Sequence, residues 1–139
     1  GISIVKAARI ATDTGHVTAM HDPTEGGLAG ALDEVAHASQ TGITIDASKV
    51  KIYPETQTIC TALGLDPWGL IASGALLITS APEGSNEIID ALGRSGIPAS
   101  VIGKITEPEE GLVRITAGTK EPLPTFDRDE IARLYGSQT

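Results

Sequence analysis

Apolar residues in this chain recur at helical spacing, then at strand spacing, and the two periods alternate along almost its whole length. That alternation favours a layered arrangement of helices on a sheet over a coiled coil or a disordered tail. Sixteen glycines and very few aromatic residues sharpen the constraint, because the core must then be built from Ile, Leu, Val and Ala with backbones packed close together.

Along the chain, Ile4, Val5, Ala8 and Ala11 predict a helix over Ser3 to Thr12, with Gly15 placed to end it. HVTAM alternates like a short strand. Leu28, Leu32, Val35, Ala36 and Ser39 mark one face of a second helix, closed by Gly42. ITID and VKIY predict two short strands around a turn at Ala47 and Ser48. PETQTICTALG is a helix with Pro54 in its first position and Gly64 at its end. GALLITS, from Gly74 to Ser80, is a continuous apolar run of the kind expected of a central strand. SNEIIDALGRSG follows as an amphipathic helix ending at Gly96. Two more strands, ASVIGKI and LVRIT, are joined by a turn at EPEEG, and the connection KEPLPTF leads to a terminal helix, DRDEIARLYG. The expected fold class is therefore α+β, a mixed β-sheet with helices packed on it, in one domain over residues 1–139.

The formal net charge is −8, from eighteen acidic and ten basic residues with no basic cluster, so nucleic acid and anionic membrane surfaces are not expected partners. A small phosphate ligand remains compatible, because backbone amides bind anions locally. The lone Cys60 cannot form an internal disulfide, which points to a reducing compartment. No apolar run approaches the roughly 18 residues of a membrane span, and no signal pattern opens the chain, so a cytoplasmic protein is expected. The opening GISIVKAARIA, without a start methionine, reads as part of something longer.

The stretch AMHDPTEGGLAGAL, from Ala19 to Leu32, combines polar side chains with two glycines at a helix start. Capping accounts for part of it: Asp22 as N-cap, Pro23 as first helical residue and Glu25 as the third residue of a capping box. Ser80 with Glu83 and Asp127 with Glu130 repeat that spacing, and Asp66 with Pro67 repeats the Asp-Pro start. Capping does not require Gly26 and Gly27, each costing about 1 kcal/mol relative to Ala in a helix. Their bare backbone serves either the approach of a ligand to the helix N-terminus or close packing against another segment. His21, just before the turn, is placed either for proton transfer or for a structural hydrogen bond. Ser73 and Gly74, ahead of the apolar strand, fit a second wall of a site or a tight turn. Cys60 belongs with Ile59 and Leu63 on an apolar helical face, as a core residue. His16 and His37 lack partners at ligand spacing, so no metal site is expected from this chain alone.

GISIVKAARIA, AMHDPTEGGL, ETQTICTALGLDPWGLIASGALLIT and IPASVIGKIT together resemble the C-terminal domain of the AIR synthase-related superfamily, and the resemblance runs from Gly1 to about Tyr135. HDPTEGGL is its most specific part, close to the HDPT-x-GGL form of the hydrogenase maturation members. The resemblance implies a protein whose N-terminal domain, missing from this chain, binds ATP and Mg2+ and forms a homodimer. The C-terminal domain would close the other side of the cleft. It implies ATP-dependent phosphorylation of a small substrate, often at an amide-type oxygen. Carried onto this sequence, His21 and Asp22 would be catalytic, while Thr24, Gly26 and Gly27 would face phosphate or substrate and Ser73 and Gly74 would line the same cleft. Asp22 beside phosphates is acceptable if it binds magnesium or is occupied in capping. The carbamoyl-dehydrating members end in a cysteine where this chain has GSQT, so the resemblance does not imply that enzyme in its usual form. The alternative to half of an enzyme is a non-catalytic metabolite-binding or scaffolding module, since a fold does not fix a function.

Overall fold

The computed structural model describes residues 2–136. In chain order its elements are α1 (Val5–Asp13), β1 (Val17–His21), α2 (Gly27–Ser39), β2 (Gly42–Asp46), α3 (Pro54–Leu63), β3 (Leu77–Ser80), α4 (Ser85–Arg94), β4 (Gly103–Thr106), β5 (Leu112–Thr116) and β6 (Thr119–Pro122). Short 3-10 turns lie between several of them, and one, Glu130–Leu134, follows β6. The chain divides into two compact units: one takes the chain up to Asp22 together with Ser73–Val101, the other Pro23–Ala72 together with the chain from Ile102 onward.

The first unit is built on an antiparallel ribbon of β1 and β3, with Met20 opposite Ile78, His21 opposite Leu77 and an irregularity between Val17 and Ala19. A two-stranded ribbon is marginal in water without a covering layer. Here α1 and α4 provide it: Ala11, Ile88 and Leu92 are buried, with Ile10, Met20 and Ile78 packed against them. Away from that core, the Thr18 and Thr79 hydroxyls pair across the strands at 2.8 Å. The apolar run GALLITS is thus not a central strand. Only Leu77–Ser80 is in strand conformation, it pairs with β1, and its residues are half-buried. The run is apolar because one side of the ribbon faces α1 and α4, and the period-two test cannot separate that case from burial on both faces.

The second unit carries a four-stranded sheet in the order β4-β2-β5-β6. β2 and β5 are parallel, in register from Ile43 with Leu112 to Asp46 with Ile115, and the other two pairings are antiparallel. Mixed pairing with covering helices is the expected α+β class. Ile43 and Ile45 of β2 are buried, as are Ala29, Leu32 and Ala36 of α2, which packs on β2 and on the 3-10 turn Pro67–Gly69. Cys60 of α3 is among the most buried side chains, as expected, but Ile59 and Leu63, which the sequence groups with it on one apolar face, are exposed.

Four local expectations fail for identifiable reasons. VKIY forms no strand, because the Asp46 carboxylate accepts the Ser48 N–H at 3.0 Å and turns the chain into a 3-10 turn at Ala47–Lys49. Tyr53 is then held extended by the following proline, as an N-cap rather than as a ladder residue. KEPLPTF is not wholly a connection, since Thr119–Pro122 pairs with β5 as an edge strand, where a terminal proline is tolerated. The terminal helix is instead a single 3-10 turn that starts two residues later than the Asp127 spacing predicts, and Asp129 caps it by accepting the Ile131 N–H at 2.9 Å. Ser80 likewise caps nothing: its hydroxyl pairs with that of Ser85, and α4 begins after Gly84 without a side-chain cap.

Candidate functional site

The segment HDPTEGG crosses from the first unit to the second between Asp22 and Pro23. In the first unit His21 is the last residue of β1 and is half-buried, while Asp22 beyond it is exposed. Because His21 lies opposite Leu77, the first residue of β3, the segment entering β3 leaves the ribbon at the same end as His21 and Asp22. Ser73 and Gly74 belong to that entering segment. A bridge between Ser73 and Ala75 makes it a tight turn. Gly74 has φ +98°, and a Cβ there would lie 3.2 Å from the Cα of Ile2, so backbone geometry and a close neighbour both select glycine.

In the second unit the turn from Pro23 to Gly27 precedes α2. Pro23 is fully buried and anchors the turn, while Thr24 and Glu25 are exposed. Asp22 is not the N-cap of α2, nor is Pro23 its first residue. The helix starts at Gly27, with Gly26 as an N-cap in the left-handed region at φ +79° and no side-chain cap. The turn closes on itself instead, since Gly27 N–H donates to the Thr24 carbonyl at 3.1 Å, and the Ala72 N–H reaches the same carbonyl at 3.2 Å.

The two glycines have different reasons to be there. A Cβ on Gly26 would meet nothing closer than the Gly30 Cα at 3.7 Å, so space is open and only the positive φ selects glycine. A Cβ on Gly27 would lie 2.5 Å from the Leu70 carbonyl oxygen and 2.6 Å from that of Trp68. No side chain fits there. Gly27 is where the start of α2 presses against the Trp68–Leu70 backbone, which is the close-packing use of a bare backbone.

The sequence reading missed the groups that hold this turn. Asp129, only 8% exposed, accepts the Gly26 N–H on Oδ2 at 2.9 Å. Beside it Glu130, 3% exposed, accepts the Asp66 N–H at 2.7 Å and receives Arg133 at 2.7 Å on the same oxygen. Buried carboxylates need such partners, and charge-assisted bonds of this length are strong ones. Asp66 in turn accepts the Trp68 N–H at 2.9 Å, which bears out the Asp-Pro start read there. The signal in the sequence is the pair of acids in DEIARL, although the capping spacing points to Asp127 and the cap is Asp129. Arg114 stacks over the Trp68 ring at 5.1 Å and is held by Glu121 at 2.8 Å. The Thr116 hydroxyl and then Arg114 keep the Glu121 carboxyl below its usual range, while burial, aided by the nearby Asp66 and Glu130 charges, pushes the Cys60 thiol up.

This geometry limits what the turn can bind. The Gly26 and Gly27 amides, which an amide cradle for phosphate would need, are engaged by Asp129 and by the Thr24 carbonyl. They do not fit such a cradle in this conformation. No cluster of three or more potential metal-ligating side chains is present among the described residues, and none of their helices is long and apolar enough to cross a membrane. What the turn offers outward is the exposed Thr24 and Glu25 side chains beside a bare Gly26.

Known proteins place this architecture. The C-terminal domain model of AIR synthase related proteins matches residues 3–115. A carbamoyl dehydratase HypE of Rhizobium leguminosarum bv. viciae is 33% identical over 111 residues, covering 78% of this chain but 32% of that protein. The crystal structure of E. coli HypE, a hydrogenase maturation protein, superposes with a TM-score of 0.84 at 26% identity, over 94% of this chain and 42% of that one. A structure of HypE in complex with ATP gives 0.78 at 27% identity, over 87% and 39%. The chain thus spans about a third of the curated relative's length, and the family match ends before the segment that carries Asp129 and Glu130. This chain belongs to the AIR synthase related family, as its C-terminal domain.

Proposed function

We propose that this chain is the C-terminal half of an ATP-dependent enzyme of the AIR synthase related family. It would close the cleft in which ATP phosphorylates an amide-type oxygen, or a similar nucleophile, of a small substrate. The observation that carries the reading is the family match over residues 3–115, supported by the likeness to a HypE solved with ATP. A preceding domain would hold most of the ATP and Mg2+ and form a homodimer. That division agrees with the engaged amides of the Gly26–Gly27 turn. In the assembled enzyme ATP supplies the phosphoryl group. This chain supplies shape and a few polar groups: the Thr24 hydroxyl to orient an oxygen, His21 to move a proton, Asp22 to hold a cation or orient a donor, and the Ser73–Gly74 turn to bound the substrate. Phosphoryl transfer is mostly positioning and charge stabilisation, so a rigid turn suffices for a large effect.

The reading is tested by phosphate release from ATP by the full-length protein, with a panel of amide-type and carbamoyl compounds. Thr24→Val and His21→Ala should each lower turnover about tenfold or more while leaving the fold intact. Wild-type turnover in both variants would remove these residues from the reaction. A second reading, a non-catalytic metabolite-binding or scaffolding module, is favoured by the packing role of Gly27. It predicts that the full-length protein releases no phosphate with any substrate.

A further inference from the structure

The family match ends at residue 115, yet the groups that hold the Thr24–Gly27 turn come from beyond it. Leu123 is buried and its N–H donates to the Leu112 carbonyl at 3.0 Å, which starts the C-terminal segment on the sheet. The Phe126 ring packs against Gly69, where a Cβ would lie 2.5 Å from it. Asp129 and Glu130 then grip the Gly26 and Asp66 amides. Neighbouring residues on one 3-10 turn therefore hold two separate turns, the one that starts α2 and the one that carries Trp68. Those two turns already touch, through Gly27 against the Trp68 and Leu70 carbonyls.

The segment has little structure of its own. It contains a single 3-10 turn, and Ile131, Leu134 and Tyr135 remain exposed. Its place is set by those few anchors, and two of them are adjacent in sequence, so they dock or release together. We infer that Leu123–Leu134 is a strap whose docking fixes the shape of the Thr24–Gly27 turn, with Asp129 as a positioning residue for it. The consequence for catalysis rests on the function proposed above; the mechanical coupling does not.

The test uses the full-length protein and follows amide hydrogen exchange at Gly26 and Asp66. Amides of β2 and β5 serve as the control for an intact fold. In Glu130→Ala, which removes the bonds to the Asp66 N–H and to Arg133 but none made to the Gly26 turn, both the Gly26 and the Asp66 amides should exchange about tenfold faster or more, the size expected for a lost charge-assisted bond. The β2 and β5 amides should stay protected. If Gly26 keeps its wild-type rate, the strap does not act as a unit and the inference fails. Should Glu130→Ala not fold, Glu130→Met gives the same test, since it keeps a long side chain but has no oxygen to accept the Asp66 N–H. For the positioning role, Asp129→Ala should lower kcat about tenfold with the KM for ATP unchanged, and Asp129→Asn, which keeps an acceptor oxygen, should recover part of it. A change in KM alone would overturn that role. If no ATP turnover is found at all, the function reading has failed, and the exchange data alone decide the strap.

Discussion

Gly27→Ala and Gly26→Ala make a matched pair, one residue apart, and the structure assigns them different costs. Both positions have positive φ, +64° and +79°, where an L side chain costs about 1–2 kcal/mol. At Gly26 that is nearly the whole effect, because the nearest atom to a new Cβ is 3.7 Å away. At Gly27 the Cβ would stand 2.5 Å and 2.6 Å from two backbone carbonyl oxygens, which cannot swing aside as a side-chain end would. Forcing the start of α2 off the Trp68–Leu70 turn adds an overpacking cost of about 1–3 kcal/mol. Gly27→Ala should thus lose about 2–5 kcal/mol, a large part of a stability of about 5–15 kcal/mol. Gly26→Ala should lose no more than about 2 kcal/mol. Urea unfolding, followed by the fluorescence of Trp68, measures both. Equal losses for the two variants, or a Gly27→Ala as stable as the wild type, would refute the packing account.

Three further outcomes follow from single groups. The Thr106 hydroxyl is buried without a hydrogen-bond partner, so Thr106→Val should stabilise the protein by about 1 kcal/mol in the same unfolding assay, and a loss would mean that the hydroxyl has a partner. Glu121 has its carboxyl held below the usual range in the folded state, so it adds stability at neutral pH that is lost as pH falls through that lowered value. Glu121→Gln should flatten the acid limb of the stability profile; an unchanged limb would refute the pairing. Cys60 is buried with its thiol pushed up, so iodoacetamide should label it only at the rate of unfolding near neutral pH, and rapid labelling of the native protein would contradict that burial.

Much of the fold was legible because local signals and tertiary packing agree. α3 begins at Pro54 and ends before Gly64, and ITID and LVRIT are strands, as their periods predict. The errors came where a side chain far away or a short turn decided the outcome. Nothing local announces that Gly26 donates to Asp129, which lies 103 residues on, so Asp22 looked like the natural cap. An acid followed by proline is a cap only if the helix starts there, and α2 starts later than DPTE implies, after Gly26 in the left-handed region. The double glycine was read as a mark of close approach, and at Gly27 the approaching group is this chain's own backbone. Glu130 and Asp129 were hidden for a related reason: charged residues near the end of a chain look solvated until their amide partners are known.

The most direct test of the central claim is calorimetric titration of ATP with magnesium into the full-length protein and, separately, into this 139-residue chain. The account predicts saturable binding to the full-length protein and none to the chain alone, whose turn amides are already engaged. Absence of binding to the full-length protein would contradict it, and the HDPTEGG turn would then stand as a close-packed helix start in a binding module.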